Sequence, residues 1–124
     1  MNTEFNLYNV HQLEKIAVPN ENGCEFVVIA MINYCEGCGN YTTIYLLDGR
    51  KIVVIKLLHE VYELLPASTF FQTHHKYVVN LNQCKQYLKD EEMVELENGS
   101  KVKVSQRRIQ DFKKTFLNLG PRVQ

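Results

Sequence analysis

No apolar run in this 124-residue chain approaches the ~20 residues that cross a bilayer as a helix, and the N-terminus lacks the basic-then-apolar layout of a secretory leader. Glycine-rich phosphate loops, a Gly-x-Ser-x-Gly elbow, a His-Glu-x-x-His pair and carboxylates matched on one rigid element are all missing. The expectation is therefore a soluble cytoplasmic protein, with no membrane contact, that is not an enzyme. Internal repeats and low-complexity tracts are absent too, and the length suits one domain with a respectable core. Net charge is also missing: 14 basic and 14 acidic residues cancel. Zero net charge gives little long-range steering and little non-specific affinity for a polyanion.

The cancellation hides an asymmetry. Residues 1–70 carry four Lys or Arg against eight acids, and residues 71–124 carry ten against six. Lys101, Lys103, Arg107, Arg108, Lys113 and Lys114 fall within fourteen residues, opposed only by Asp111. That concentration points to a polyanion-binding face on the C-terminal half.

Four cysteines are present, and only Cys35 and Cys38 form a Cys-x-x-Cys. A structural zinc site usually needs a second such pair or a His pair, and neither exists, so no metal and no cofactor are expected. Free thiols are the simpler reading. The rival is a redox- or metal-responsive module working through the Cys35/Cys38 loop.

Along the chain, residues 1–12 read as a flexible arm or linker remnant, 13–119 as the domain and 120–124 as a tail. Leu13 to Val18 and the run from Cys24 to Tyr34 are rich in β-forming residues, the latter long enough for two short strands with a bend, and Asn20 to Gly23 is a turn between them. Asp48-Gly49 and Asn98-Gly99 sit between strand-like segments and predict two hairpins with type I′ turns. Helical period occurs twice. Leu57, Leu58, Val61, Leu64 and Leu65 form a stripe closed by Pro66, and Ile109, Phe112, Phe116 and Leu117 form another behind Ser105, a candidate N-cap. The fold class is mainly β, with two helices packed on it.

Arg107 and Arg108 fall in the first turn of the second helix, where the macrodipole disfavours cations by roughly 0.3–1 kcal/mol each. Beside the free amides of a helix N-terminus they would make an anion site suited to a DNA phosphate or a guanine edge, the alternative being a solvated helix face that happens to be basic. Strand alternation sends His74 and Lys76 to one face and His75 and Tyr77 to the other. Adjacent strand histidines diverge, which disfavours their sharing a metal ion.

Five blocks occur in order: Ile32-Asn33-Tyr34-Cys35-Glu36 with Gly39-Asn40-Tyr41-Thr42; Leu47-Asp48-Gly49; Glu63-Leu64-Leu65-Pro66; Phe70 through Asn80; and Glu97-Asn98-Gly99 with Val104-Ser105-Gln106-Arg107-Arg108. Together they resemble the LytTR family of bacterial DNA-binding domains that end many response regulators, over about residues 15–116. The resemblance implies an elongated arrangement of short antiparallel sheets with two short helices, laying loops into successive major grooves of double-stranded DNA. It also implies transcription regulation in a two-component system, pairing on direct repeats, and a receiver domain upstream or in trans. The family's base-reading positions map to Asn40, Tyr41, His75 and Arg107, while Lys76, Lys103, Gln106 and Arg108 serve phosphates or neighbouring bases. His74 and Asn80 match a recurrent histidine and asparagine with turn-capping, structural roles, His74 lying within the DNA-binding block. Where the family commonly has Arg, Arg, Ser and Arg, this chain has Gln72, His75, Lys76 and Gln106. A non-DNA protein-interaction domain is the remaining rival.

Overall fold

A computed structural model describes residues 14–118. The arm expected at 1–12 and the tail at 120–124 lie outside the described residues. The first hairpin is β1 (Lys15–Asn20) against β2 (Gly23–Val28), turning at the expected Asn20–Gly23 segment. A 3-10 turn, Ile29–Met31, then bends the apolar run into β3 (Ile32–Cys38). Next come β4 (Tyr41–Leu46), β5 (Lys51–Val54), helix α1 (Leu58–Glu63), β6 (Phe70–His74) and β7 (Tyr77–Asn80). A second 3-10 turn, Leu81–Gln83, leads to β8 (Cys84–Leu88), β9 (Met93–Leu96), β10 (Lys101–Lys103) and helix α2 (Gln106–Asn118). All pairings are antiparallel, in a two-stranded sheet, a five-stranded sheet of order β5-β4-β3-β7-β6 and a three-stranded sheet of order β10-β9-β8.

The five-stranded sheet is covered on both faces, and strand alternation assigns each residue its side. Phe70 and Val78 enter the core beneath α1 and the β1–β2 hairpin, with Ile32, Cys35, Ile44, Val61 and Leu65. Their neighbours Phe71 and Val79 enter a second core with Leu96, Val102, Val104 and Phe112 beneath the three-stranded sheet and α2. Asn80 ties the layers together: buried, it donates from Nδ2 to the Ile32 carbonyl at 2.9 Å and accepts from the Asn82 N–H at 2.9 Å. The turn-capping, structural part read for it is the one it plays.

Several expectations need correction. Both predicted hairpins form, but their turns are three-residue loops in place of type I′. Gly49 and Gly99 take φ of +93° and +91°, while Glu92 is the one non-glycine described residue at positive φ, so Asp48 and Asn98 do not share the left-handed region. Each instead accepts a side-chain hydrogen bond from the backbone N–H two residues on, at 2.9 Å to Arg50 and 3.0 Å to Ser100, the self-capping these residue types favour in turns. In α1 only part of the stripe is buried: Leu58, Val61 and Leu65 face the core, while Leu57 and Leu64 are exposed. A helix of six residues has too few turns to bury five leucines and valines on one side. Ser105 precedes α2, but its buried Oγ has no partner, so it does not cap the helix with its side chain. His75 and Lys76 are not extended; they form a two-residue turn joining β6 to β7, a further tight hairpin that no Asn-Gly or Asp-Gly pair announces.

Candidate nucleic-acid interface

Three chain reversals meet at one end of the five-stranded sheet. The β3–β4 turn carries Asn40 and Tyr41, both exposed, with Tyr41 opposite Cys38 in register. Beside it the β6–β7 turn presents His75 and Lys76, also exposed, and the Gly37 N–H donates to the Lys76 carbonyl at 2.8 Å, locking one turn to the other. The third reversal is the junction from β10 into α2. There the Thr73 hydroxyl donates to the Lys103 carbonyl at 2.8 Å, and the Ser105 N–H donates to the Thr73 carbonyl at 2.9 Å. Thr73 is fully buried, so a polar residue inside β6 sets where α2 begins.

The charges converge as well. His74, half-buried at the end of β6, accepts from the Lys76 N–H through Nδ1 at 3.1 Å and so closes the turn, and its ring lies 4.2 Å from that of His75. Burial first, then the nearby His75, Lys103, Lys76 and Arg108, hold its pKa below the ordinary 6.5. Lys103, at the end of β10, is exposed; Arg108, in the first turn of α2, is half-buried with a buried Nε that has no partner. Five residues read as DNA-binding in the sequence (His74, His75, Lys76, Lys103 and Arg108) therefore share one cationic neighbourhood. Gln106 and Arg107 lie exposed on the same helical turn as Arg108, without a hydrogen bond to the cluster. Asn40 and Tyr41 adjoin it through the Gly37–Lys76 bond.

Two features were not legible in the sequence. Glu36 accepts from Tyr45 at 3.0 Å and from Tyr77 at 3.2 Å, bridging β4, β3 and β7 behind both turns, and Tyr34 stacks on Tyr45 with centroids 4.4 Å apart. Burial and the Glu36 hydrogen bond push the Tyr45 phenol up to about 12. Second, a hollow of about 380 Å³ lies between the two turns, and α1 contributes to its wall. Only the periodic spacing of glutamate and tyrosines hinted at the first, and nothing local hinted at the second.

The Cys-x-x-Cys does not form a site. Both cysteines lie in β3 and not in a loop; Cys35 is fully buried and its thiol is pushed up to about 12 by burial, while Cys38 is exposed at the strand end. A spacing of three sends strand side chains to opposite faces, roughly 10 Å apart along the chain. Among the described residues no group of three or more His, Cys, Asp or Glu is placed to hold a metal ion, and no helix is long and apolar enough to cross a membrane.

A paired-turn platform with a cationic rim beside a helix start is the arrangement expected of a domain that meets a polyanion with loops. The sequence model of the LytTr DNA-binding domain matches residues 22–117. The chain belongs to the LytTR family. Its members are DNA-binding domains of the response-regulator type, and DNA binding is the activity this domain carries. The fold is also that of a solved structure described as the LytTr DNA-binding domain of a methyl-accepting/DNA response regulator from Bacillus cereus. The two share 24% identity and a TM-score of 0.72 over 83% of this chain and 96% of that one. No curated protein matches the sequence at a significant level.

Proposed function

We propose that this LytTR domain recognises a specific sequence in double-stranded DNA and acts as a cytoplasmic bacterial transcription regulator, reading successive major grooves with loops. The observation that carries the reading is the convergence of the β3–β4 turn, the β6–β7 turn and the start of α2 on one side of the sheet, joined by the Gly37–Lys76 and Ser105–Thr73 backbone bonds. A two-residue turn is narrow enough to enter a groove about 12 Å wide. Asn40, Tyr41, His75 and Arg107 are assigned to base edges, and Lys76, Lys103, Gln106 and Arg108 to phosphates or neighbouring bases. His74, whose Nδ1 accepts from the Lys76 N–H, positions the turn in its neutral form.

Neutral net charge supports specificity over bulk attraction, because little of the affinity is available from the phosphate backbone alone. A partner receiver domain, upstream or in trans, and pairing of two domains on direct repeats fit this activity. The test is selection from a randomised duplex pool at two salt concentrations, with the bound fraction sequenced. Enrichment of one motif, with affinity falling steeply as salt rises, supports the reading. Salt-sensitive binding without enrichment removes specificity, and salt-tolerant binding to a protein in place of DNA removes the reading altogether.

A further inference from the structure

The hollow between the two turns has a chemistry of its own. His59 reaches it from α1, Gln72 from β6, and His75 and Lys76 from the β6–β7 turn, so three separate elements place N–H donors around one concavity. Among the described residues no carboxylate lines it. Of the acids nearest in sequence, Glu60 accepts from the Leu57 N–H at 2.9 Å, while Glu63 lies 3.7 Å from the His59 Nδ1 and so borders one donor of the hollow without lining it. Two other hollows, between β1 and β5 and between β8 and α2, are walled chiefly by apolar surface, although Lys56 borders the first and Lys85, Gln86 and Lys113 border the second. His59 comes within reach because Gly37 lacks a side chain: a Cβ there would stand 3.0 Å from the Leu58 Cβ, so α1 can pack directly against β3.

We propose that this hollow is a phosphate site, in which the Lys76 ammonium supplies the charge and His59 and Gln72 donate to the phosphate oxygens. Charge-assisted contacts of this kind are short and strong, and a carboxylate-free concavity beside a cation is where they form. Its place between two turns assigned to base reading makes the backbone of bound DNA the source of the phosphate. A free phosphate group has the same chemistry. The site extends the interface onto α1, an element to which neither the sequence nor the base-reading assignment gives a DNA contact. Only the source of the phosphate rests on the DNA reading proposed above.

The experiment has two arms on the full chain. In the first, inorganic phosphate is titrated against the protein and followed by amide and imidazole NMR shifts, with chloride at matched ionic strength as control. Saturable shifts at His59, Gln72, His75 and Lys76 are expected, and shifts no larger than those with chloride overturn the site. In the second arm, duplex affinity is measured against salt for the wild type, His59→Ala and His59→Gln. His59 is exposed, so both variants should fold. His59→Ala should weaken specific and random duplexes alike by about threefold to tenfold, leave the log-log salt slope nearly unchanged because the cation of the site is Lys76, and leave the selected motif unchanged. His59→Gln keeps a donor and should recover part of the loss. Saturable phosphate shifts with unchanged duplex affinity in His59→Ala would overturn DNA as the source and assign the site to free phosphate. Saturable shifts in a wild type that binds no duplex would sink the proposed function and leave the phosphate site standing.

Discussion

A Cβ on Gly37 would sit 3.0 Å from the Cβ of Leu58, closer than side chains ordinarily approach. This one contact sets how near α1 lies to the strand that leads into the β3–β4 turn. Gly37 is extended and not at positive φ, so space, not backbone freedom, is what glycine provides here. The partner atom is the Leu58 Cβ, fixed to a helix backbone, so relief requires the helix itself to move. Gly37→Ala should cost about 1–3 kcal/mol by overpacking, measured by denaturant unfolding. It should also weaken DNA binding, because the adjacent Gly37–Lys76 bond aligns the two turns.

Asn80→Ala should be more damaging than its small size suggests. It leaves the Ile32 carbonyl and the Asn82 N–H without their partners in the interior, at about 1–3 kcal/mol for each unsatisfied group. Equilibrium unfolding checks this; a loss below 0.5 kcal/mol would mean that water replaces both bonds.

Arg107→Ala should separate contact from stability. Arg107 is exposed on the first turn of α2, so the melting temperature should hold or rise slightly as an unfavourable dipole interaction is removed. Specific affinity should fall by about 1–3 kcal/mol, with relaxed selectivity at one base pair. Equal weakening on random duplex would reassign it to a phosphate. Phe112→Ala is the contrasting control: buried in the second core, it should lose about 3–5 kcal/mol of stability, and activity only through unfolding.

His74 gives a pH dependence of definite sign. Burial and the surrounding His75, Lys103, Lys76 and Arg108 depress its folded pKa below 6.5, so the unfolded chain binds the proton more readily. This group's contribution to stability is therefore highest above 6.5 and declines as pH falls through that value towards the lower folded pKa. Protonation takes the Nδ1 lone pair that accepts from the Lys76 N–H and so unlatches the turn, and duplex binding should weaken as pH falls below neutrality. Duplex titrations of wild type and His74→Gln between about pH 5.5 and 8 test this. A wild-type profile as flat as the variant's would reject it.

Thiol reactivity should follow burial. Alkylation of the native protein should label Cys24 and Cys38, which are exposed, and spare Cys35, whose thiol is raised to about 12, until denaturant is added. Oxidation should leave duplex affinity unchanged. A Cys35–Cys38 disulfide formed in the native state would revive the redox reading.

The class of the fold was written in local chemistry. Alternating apolar residues fixed most of the strands, Asp48-Gly49 and Asn98-Gly99 fixed two reversals, and the apolar spacing around Phe112 fixed α2, because each signal acts over a few residues. The basic cluster from Lys101 to Lys114 was equally plain. Tertiary structure decided what those residues face. The β6–β7 turn at His75-Lys76 has no turn-forming pair; it exists because β6 and β7 must both lie flat in a sheet whose two faces are already covered, with Phe70 and Phe71 entering opposite cores. The burial of Cys35, the exposure of Leu57 and Leu64 and the Glu36–Tyr77 arm of the tyrosine bridge depend on neighbours distant in sequence, 41 residues apart in the last case. So does the meeting of His59 with His75 across one hollow, since sequence spacing carries no information about which layer packs on which.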